Sequence, residues 1–395
     1  MKKSRRLVCL TNIPTPYRLS FFGHLNDELA RRGWDFEAWF MAHSEPGRHW
    51  RFENNDFRFH YRIFSGFSPY FRGASFHINP GVFLQLLAKP PDILLAGGAW
   101  LMPTTILASL APQLACRVFW SESQFLSTTH AGRLTNSIRS WFLQRYHAFA
   151  VPGMLAREYI QHFAPDKPLV TLPNLVDHTI YGDRVHQLRD HRLALRQGLS
   201  LSDRKRVLLI SARLLPAKGI LPFLGALLSL PTELLSNLVV LIAGEGELRS
   251  KIENWIVDHP SPEVILLGQQ TEEQMCELYA LSDGFALPSY NDPNPLSVIE
   301  ALWAALPLVL SDRVGNHRET LVTDRNGWLF SPDDASATCR AVASWLMLTG
   351  SELAKYGRLS HGIASSAFDA QKVVPVIADE LIALWQHKKE ARVSP

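Results

Sequence analysis

Residues 284–302 read GFALPSYNDPNPLSVIEAL: a short apolar run, a proline-bounded loop, and a segment of helical character. Gly284–Leu287 has the length and composition of a strand buried on both faces. Asn294 can cap a helix, and Pro295 suits its first position because it presets φ and lacks an N–H that the first turn would leave unpaired. The amides of Leu296 and Ser297 then become orphan donors at the positive end of a helix, a ready place for an anion. Glu300 follows one turn deeper on the same face, among Val298, Ile299, Ala301, Leu302 and Trp303. A carboxylate in such surroundings must be answered by Arg313, Arg318 or a loop amide, or by the vicinal hydroxyls of a ligand.

Outward from this stretch the alternation of apolar runs and helix-periodic segments recurs along the chain. In the first half the runs are Leu7–Leu10, Phe36–Phe40, Phe57–Ile63, Ile93–Ala96, Val118–Trp120, Ala148–Val151 and Leu169–Leu172. In the second they are Val207–Ile210, Val239–Ala243, Val264–Leu267, Gly284–Leu287 and Leu308–Leu310. Near-continuous Val, Ile and Leu in β-α-β order predicts an α/β chain with doubly wound parallel sheets. At 395 residues the chain is too long for one ordinary core and fits two such domains. The expected division is residues 1–178 and 179–370, with a hinge near LPNLVDHTIYGDR. Residues 189–197 look too charged for a core. A final helix within 371–395, with Val374, Ile377, Leu381 and Leu384 at helical spacing, should pack back toward the first domain.

Composition narrows the function. The 47% hydrophobic and 19% charged content belongs to a folded chain rather than a disordered one. Four scattered cysteines with no CxxC spacing suggest neither a disulfide framework nor a metal site, and point to a reducing, cytoplasmic setting. The basic N-terminus carries too short an apolar stretch for a signal peptide before Asn12 and Pro14. Residues 93–116 run without a charge, but Gly97, Gly98, Pro103 and Pro112 divide them into a strand, a turn and a helix rather than a membrane span. Residues 1–178 hold 19 Lys and Arg against 12 Asp and Glu, a net of +7, while the remainder is −4. That excess suits an anionic substrate or the anionic inner face of a membrane. Nucleic acid is not indicated, because no basic helix or aromatic-basic interleaving is present.

Ligands of open α/β sheets sit beyond the carboxyl ends of the strands, so the residues that follow each apolar run are the candidates for binding. After Val207–Ile210 comes SARLLPAKGI, where Arg213 and Lys218 suit a diphosphate, one by a forked contact and one as a point charge. After Val239–Ala243 comes GEGEL, whose glycines permit a tight turn before a helix starting at Glu247. With Arg249 in the third glycine position this is not a dinucleotide fingerprint. In the first half, Arg18 follows the first strand. Glu122 follows Val118–Trp120, with His130 a few residues on. Arg18 also reads as a surface arginine, Glu122 as a helix-start acid and His130 as a loop histidine.

The motifs SARL-x4-KG, AGEGEL, PS-x2-D-x7-EAL-x3-LPLV-x-S and DRNGWLFSPDD, in this order, resemble the nucleotide-binding half of the family 4 glycosyltransferases, which have the GT-B fold. PNLVD at 173–177 and TNIPTPYR at 11–18 fit the same group. The resemblance covers most of the chain, is tightest over residues 211–334 and weakest around 40–90. It implies two Rossmann-like domains facing a central cleft, and transfer of a sugar from a nucleoside diphosphate sugar to a hydroxyl with retention and without an obligatory metal or other cofactor. Arg213 and Lys218 would hold the donor diphosphate, Glu300 the ribose, and Asp292 the transferred sugar; from their places at the helix start and the first strand end, Leu296 and Ser297 would add to the diphosphate site, and Arg18 would reach the phosphates or an anionic acceptor. Glu122 and His130 would serve the acceptor side. The family's usual first acid is one methylene longer than Asp292, and its following Phe-Gly is Asn294-Pro295 here. A glycan or lipid-linked glycan acceptor, met at the inner membrane face, is the expected partner. The competing readings are an epimerase or phosphorylase on the same fold, or a nucleotide-sugar-binding protein without turnover.

Overall fold

The computed structural model describes residues 4–46, 52–53, 56–71, 74–112, 114–128 and 132–393. The chain divides into two compact units, Met1–Leu175 with Ala370–Pro395, and Val176–Asp369.

The first unit is built on a seven-stranded sheet. Its strands are β1 (Arg5–Thr11), β2 (Trp34–Phe40), β3 (His60–Ile63), β6 (Ile93–Gly97), β7 (Cys116–Trp120), β8 (Ala148–Val151) and β9 (Leu169–Thr171). The two-residue strands β4 (Tyr70–Phe71) and β5 (Ala74–Ser75) form a separate antiparallel pair. The order in the large sheet is β3-β2-β1-β6-β7-β8-β9, with every pairing parallel. All seven strands fall on the apolar runs of the sequence. Leu7, Val8, Cys9 and Leu10 are fully buried because β1 is covered on both faces. Helix Ala370–Val393 packs on this unit: Trp385 meets Trp34 edge to face at 5.2 Å, and Arg32 pairs with Asp379 at 2.7 Å.

The second unit holds β10 (Arg206–Ser211), β11 (Leu238–Ala243), β12 (Glu263–Gly268), β13 (Gly284–Leu287), β14 (Leu308–Ser311) and β15 (Gly327–Phe330). All pairings are parallel, in the order β12-β11-β10-β13-β14-β15. Five of these strands, β10 to β14, fall on the apolar runs of the sequence. β15 does not, because its four residues open on a glycine and look like loop. Gly327 is there because β14 lies too close for anything larger; a Cβ would stand 2.0 Å from the Leu308 carbonyl oxygen.

Two further expectations need correction. Residues 189–197 are not all surface: Arg196 is buried, donating to Asp283 Oδ2 at 2.7 Å and to the Leu281 carbonyl at 3.0 Å, so a partner makes the cation tolerable inside. The helix after GEGEL is Arg249–Asp258, two residues later than Glu247, because the turn extends through Leu248. Residues 93–116 contain β6 and helix Pro103–Ser109 as expected. Among the described residues no helix is long and apolar enough to cross a membrane.

In each sheet the strand order reverses once, between β1 and β6 and between β10 and β13. Helices leave to opposite faces at such a point, and the carboxyl ends there open a crevice.

Candidate functional site

The β10/β13 reversal brings the second unit's candidate residues to one edge. β10 ends at Ser211, and the loop beyond it carries Arg213 and Lys218 into helix Ile220–Leu227. β13 ends at Leu287, and its loop carries Asp292 into helix Leu296–Trp303. Backbone bonds lace the loops together: the amide of Tyr290 donates to the Ala217 carbonyl at 2.8 Å, and that of Gly315 to the Asp292 carbonyl at 2.8 Å. Gly219, at φ +65°, permits this approach; a Cβ there would lie 2.2 Å from the Pro288 carbonyl oxygen. Gly244 serves the neighbouring loop in the same way, at φ +147°, where a Cβ would lie 1.9 Å from the Ala212 carbonyl oxygen.

Lys218 and Asp292 meet directly, Nζ to Oδ2 at 2.5 Å, both largely shielded from solvent. Arg213 is exposed, and no ion pair joins it among the described residues. The helix after Asp292 starts at Leu296 rather than Pro295. Pro295 takes an extended ψ of 127°, and its carbonyl is held by Asn316 Nδ2 at 3.0 Å. Asn294 therefore does not cap. Its buried Nδ2, with Ser289 Oγ and Asn291 Oδ1, has no hydrogen-bond partner among the described residues. No side chain caps the helix, so the first-turn amides of Leu296 and Ser297 have none to answer them. Unanswered donors at the start of a helix can receive an anion.

Glu300 lies one turn in and is half-buried. Its protein partner is none of those expected from sequence. Tyr279, on helix Glu272–Leu281, donates its hydroxyl to Oε2 at 2.7 Å. Burial pushes the carboxyl up to about 7, the Tyr279 bond opposes the rise, and the charge of Glu272 adds to it. One carboxylate oxygen is thus engaged with Tyr279. A cavity of about 290 Å³ nearby, lined by Gly219, Phe223, Pro288, Tyr290, Phe330 and Pro332 among others, takes in none of Arg213, Lys218, Asp292 and Glu300.

The first unit gathers a second group at its own reversal. Asn12 follows β1. Gly98, at φ +117° beyond β6, leaves room for Asn12 Oδ1, which would be 3.4 Å from a Cβ. Asn12 Nδ2 donates to Glu45 Oε1 at 3.3 Å, and fully buried His77 meets that same oxygen through Nε2 at 2.8 Å. His77 Nδ1 in turn pairs with Ser68 Oγ at 2.8 Å. Arg18 stands 5.5 Å from the Trp120 ring, and its buried Nε has no hydrogen-bond partner among the described residues. Burial alone would lower the guanidinium pKa, but Tyr17, Glu122, Cys9 and Glu45 together raise it. Glu122, in the loop after β7, thus lies within electrostatic reach of Arg18. His130 lies outside the described residues. Asn12, Glu45 and His77 were missed in the sequence. Asn12 was legible, since it follows a strand directly inside TNIPTPYR; Glu45 and His77 join it only through folding. Among the described residues no group of three His, Cys, Asp or Glu could hold a metal ion.

Comparison with known proteins finds likenesses to the second unit and to the chain as a whole. Residues 192–358 match the family model for glycosyl transferases group 1. Alpha-galactosylglucosyldiacylglycerol synthase of Streptococcus pneumoniae is 27% identical over 202 residues, which are 48% of this chain and 52% of that protein. The chain thus aligns with only about half the length of this curated relative. Among solved structures, sucrose-phosphate synthase from Thermosynechococcus elongatus aligns with a TM-score of 0.71 at 16% identity, covering 98% of this chain and all of that one. Anabaena HepE, solved with UDP and glucose, aligns at 0.70 and 16%, covering 96% and 100%. The fold is GT-B, and the resemblance to family 4 glycosyltransferases holds.

Proposed function

We propose that this chain, whose second unit carries a group 1 glycosyltransferase domain, transfers a sugar from a nucleoside diphosphate donor to a hydroxyl acceptor with retention at the anomeric carbon. The observation that carries the reading is the convergence at the β10/β13 reversal. Lys218, its partner Asp292, the unanswered Asn294 Nδ2 and an uncapped helix start share the loops at this reversal, with Glu300 one turn deeper and Arg213 on the same loop as Lys218. In this reading the cations and the amides of Leu296 and Ser297 balance the charge that builds on the leaving diphosphate, so no obligatory metal is invoked. Glu300 accepts from the ribose hydroxyls through the carboxylate capacity that Tyr279 leaves open. Asp292 faces the transferred sugar, and Lys218 holds it in place. The acceptor side is assigned to Glu122, Asn12 and the Glu45–His77 pair, with Arg18 beside them to meet the donor phosphates or an anionic acceptor; His130 keeps its expected acceptor role on sequence grounds alone. Retention rests on the family resemblance.

A glycan or lipid-linked glycan acceptor at the cytoplasmic face of an anionic membrane completes the proposal. It is supported by the +7 charge of residues 1–178 and by a relative named for a glycosylated diacylglycerol. A thermal-shift panel of nucleoside diphosphate sugars tests the donor, with UDP-glucose first because HepE was solved with UDP and glucose. Binding to the native state raises the melting temperature in proportion to the logarithm of ligand concentration over Kd. Arg213→Ala and Lys218→Ala should each weaken the free diphosphate by roughly 1.5–3 kcal/mol. Unchanged affinity in both, by calorimetry, would overturn the diphosphate assignment. Turnover of the donor in the absence of any acceptor would favour an epimerase.

A further inference from the structure

Residues 123–157 contain no Asp or Glu and four arginines, Arg133, Arg139, Arg145 and Arg157. Helix Arg133–Gln144 lies in this segment. Its inner face is fully employed. Phe142 and Leu143 are buried in the first unit's core, and buried Arg139 lies against the rings of Trp100, Phe163 and Tyr159 at 4.8, 5.0 and 5.7 Å. The outer face is different. Leu134, Ile138 and Trp141 recur at i, i+4 and i+7 and are 75%, 46% and 50% exposed. Arg145 continues the row, its guanidinium 5.2 Å from the Trp141 ring, and exposed Arg133 flanks its first residue at the start of the helix. Folding has no use for these three apolar side chains, since the opposite face already anchors the helix. Six of the seventeen exposed large apolar side chains among the described residues (Phe125, Leu126, Leu134, Ile138, Trp141 and Met154) fall in this one acid-free segment. Chance scatter over the surface would not concentrate them so.

We propose that the outer face of helix Arg133–Gln144 seats the first unit on an anionic lipid surface. The helix would lie in the plane of the headgroups, with Leu134, Ile138 and Trp141 entering the acyl boundary and Arg133 and Arg145 against lipid phosphates. The three apolar residues span about 10 Å of helix, enough for shallow insertion but not for crossing. Charge decides the occupant. A second copy placed across a two-fold axis would set the same arginines against each other with no acid on the helix to relieve them. An anionic bilayer offers the opposite charge at the height of the arginines and hydrocarbon below it. The inference rests on the membrane part of the functional reading and is independent of the donor assignments.

The test is sedimentation of the full chain with phosphatidylcholine vesicles, with and without phosphatidylglycerol. The chain should pellet with the anionic vesicles at low salt and release as salt shortens the Debye length to a few ångströms. Ile138→Glu and Arg133→Glu, both at exposed positions, should each lower partitioning roughly ten- to thirtyfold. Trp141→Phe should keep most of the binding yet lose most of the fluorescence quenching by brominated lipid. The melting temperature without ligand or lipid, measured on the same samples, should be the same in every variant, which shows them folded. Wild-type partitioning unchanged by Ile138→Glu and Arg133→Glu would overturn the assignment of this face while leaving membrane contact standing. No binding to anionic vesicles, or equal binding to neutral ones, would overturn both. A lipid-free dimer abolished by Ile138→Glu would make the occupant a second copy and overturn the proposal as well.

Discussion

Glu300 is a carboxylate placed where its neutral form is favoured. Its carboxyl rises to about 7 through burial and the charge of Glu272, against the bond from Tyr279. Between the unfolded value and about 7 the native state holds the proton more tightly, so this group's contribution to stability falls as pH rises through that interval and stays low above it. Glu300→Gln keeps an acceptor for Tyr279 and removes the charge. It should therefore stabilise the ligand-free protein at pH 8 by on the order of 1–3 kcal/mol and by little at pH 5, while weakening donor and free diphosphate alike. Equal gaps in denaturant midpoint at the two pH values would remove the charge from the explanation. A diol donating to the carboxylate favours the ionised form, so diphosphate binding near pH 7 should release a proton, read by calorimetry in buffers of different ionisation enthalpy. At the neighbouring acid, Asp292→Asn leaves Lys218 without its counter-charge. Affinity for a free nucleoside diphosphate should rise several-fold, about 1 kcal/mol, while transfer slows because a sugar contact strengthened in the transition state is lost. A fall in diphosphate affinity would mean that Asp292 itself holds the phosphates. The sequence showed both acids and their spacing. It did not show Tyr279 as the answer to Glu300, because that tyrosine sits on the preceding helix and its hydroxyl meets the acid only after packing.

The strand-to-helix loops are the elements that make a site out of these residues. Gly219 lets the loop after β10 press on the Pro288 carbonyl. Gly219→Ala would force both a left-handed alanine and a 2.2 Å overlap, so the loops must part. The expected cost is about 2 kcal/mol or more in stability, with a parallel loss of diphosphate affinity. Gly225, inside helix Ile220–Leu227 with nothing within 4 Å of its would-be Cβ, is the control. Gly225→Ala should be neutral or stabilising by up to about 1 kcal/mol. Equal effects of the two in chemical denaturation would show that the loop contact does not matter. Element identity was largely readable, because buried parallel strands are near-continuous apolar runs whatever they pack against. Boundaries were less so. The helix start shifted from Pro295 to Leu296 since Asn316, 21 residues on, holds the Pro295 carbonyl, and β15 was hidden because its glycine answers a neighbouring strand.

At the scale of the molecule, two units with separate sheets share the chain, and one buried acid ties the second together. Asp283, just before β13, accepts from Arg192, from Arg196 and from the amide of Val207, which joins helix Arg192–Gly198 and the start of β10 to one point. Burial alone would raise its carboxyl, but Arg192, Arg196 and the Val207 amide together hold it below the usual range. A depressed carboxyl contributes stability that is present above its unfolded pKa and is lost as pH falls through the folded value. Asp283→Asn should cost about 3–5 kcal/mol, because buried Arg196 is left without its counter-charge. The loss should fall on the second unit alone. Hydrogen exchange that accelerates equally in β1 and β10 would mean that the two units do not unfold separately.

Some features of this chain depend only on local order in the sequence: parallel strands, the strand-loop-helix rhythm, the charge split between halves, and the charged residue types at strand ends. Each is set by residues within a few positions of one another, where periodicity and turn chemistry act. Tertiary structure alone decided the partners: Tyr279 for Glu300, Lys218 for Asp292, Asp283 for Arg196, and Glu45 for both Asn12 and His77. Tertiary structure also decided which apolar face of helix Arg133–Gln144 stays in solvent. A polar group chooses its partner by distance in space, and two residues 74 apart in the chain, such as Lys218 and Asp292, acquire a distance only when the sheet sets their loops side by side.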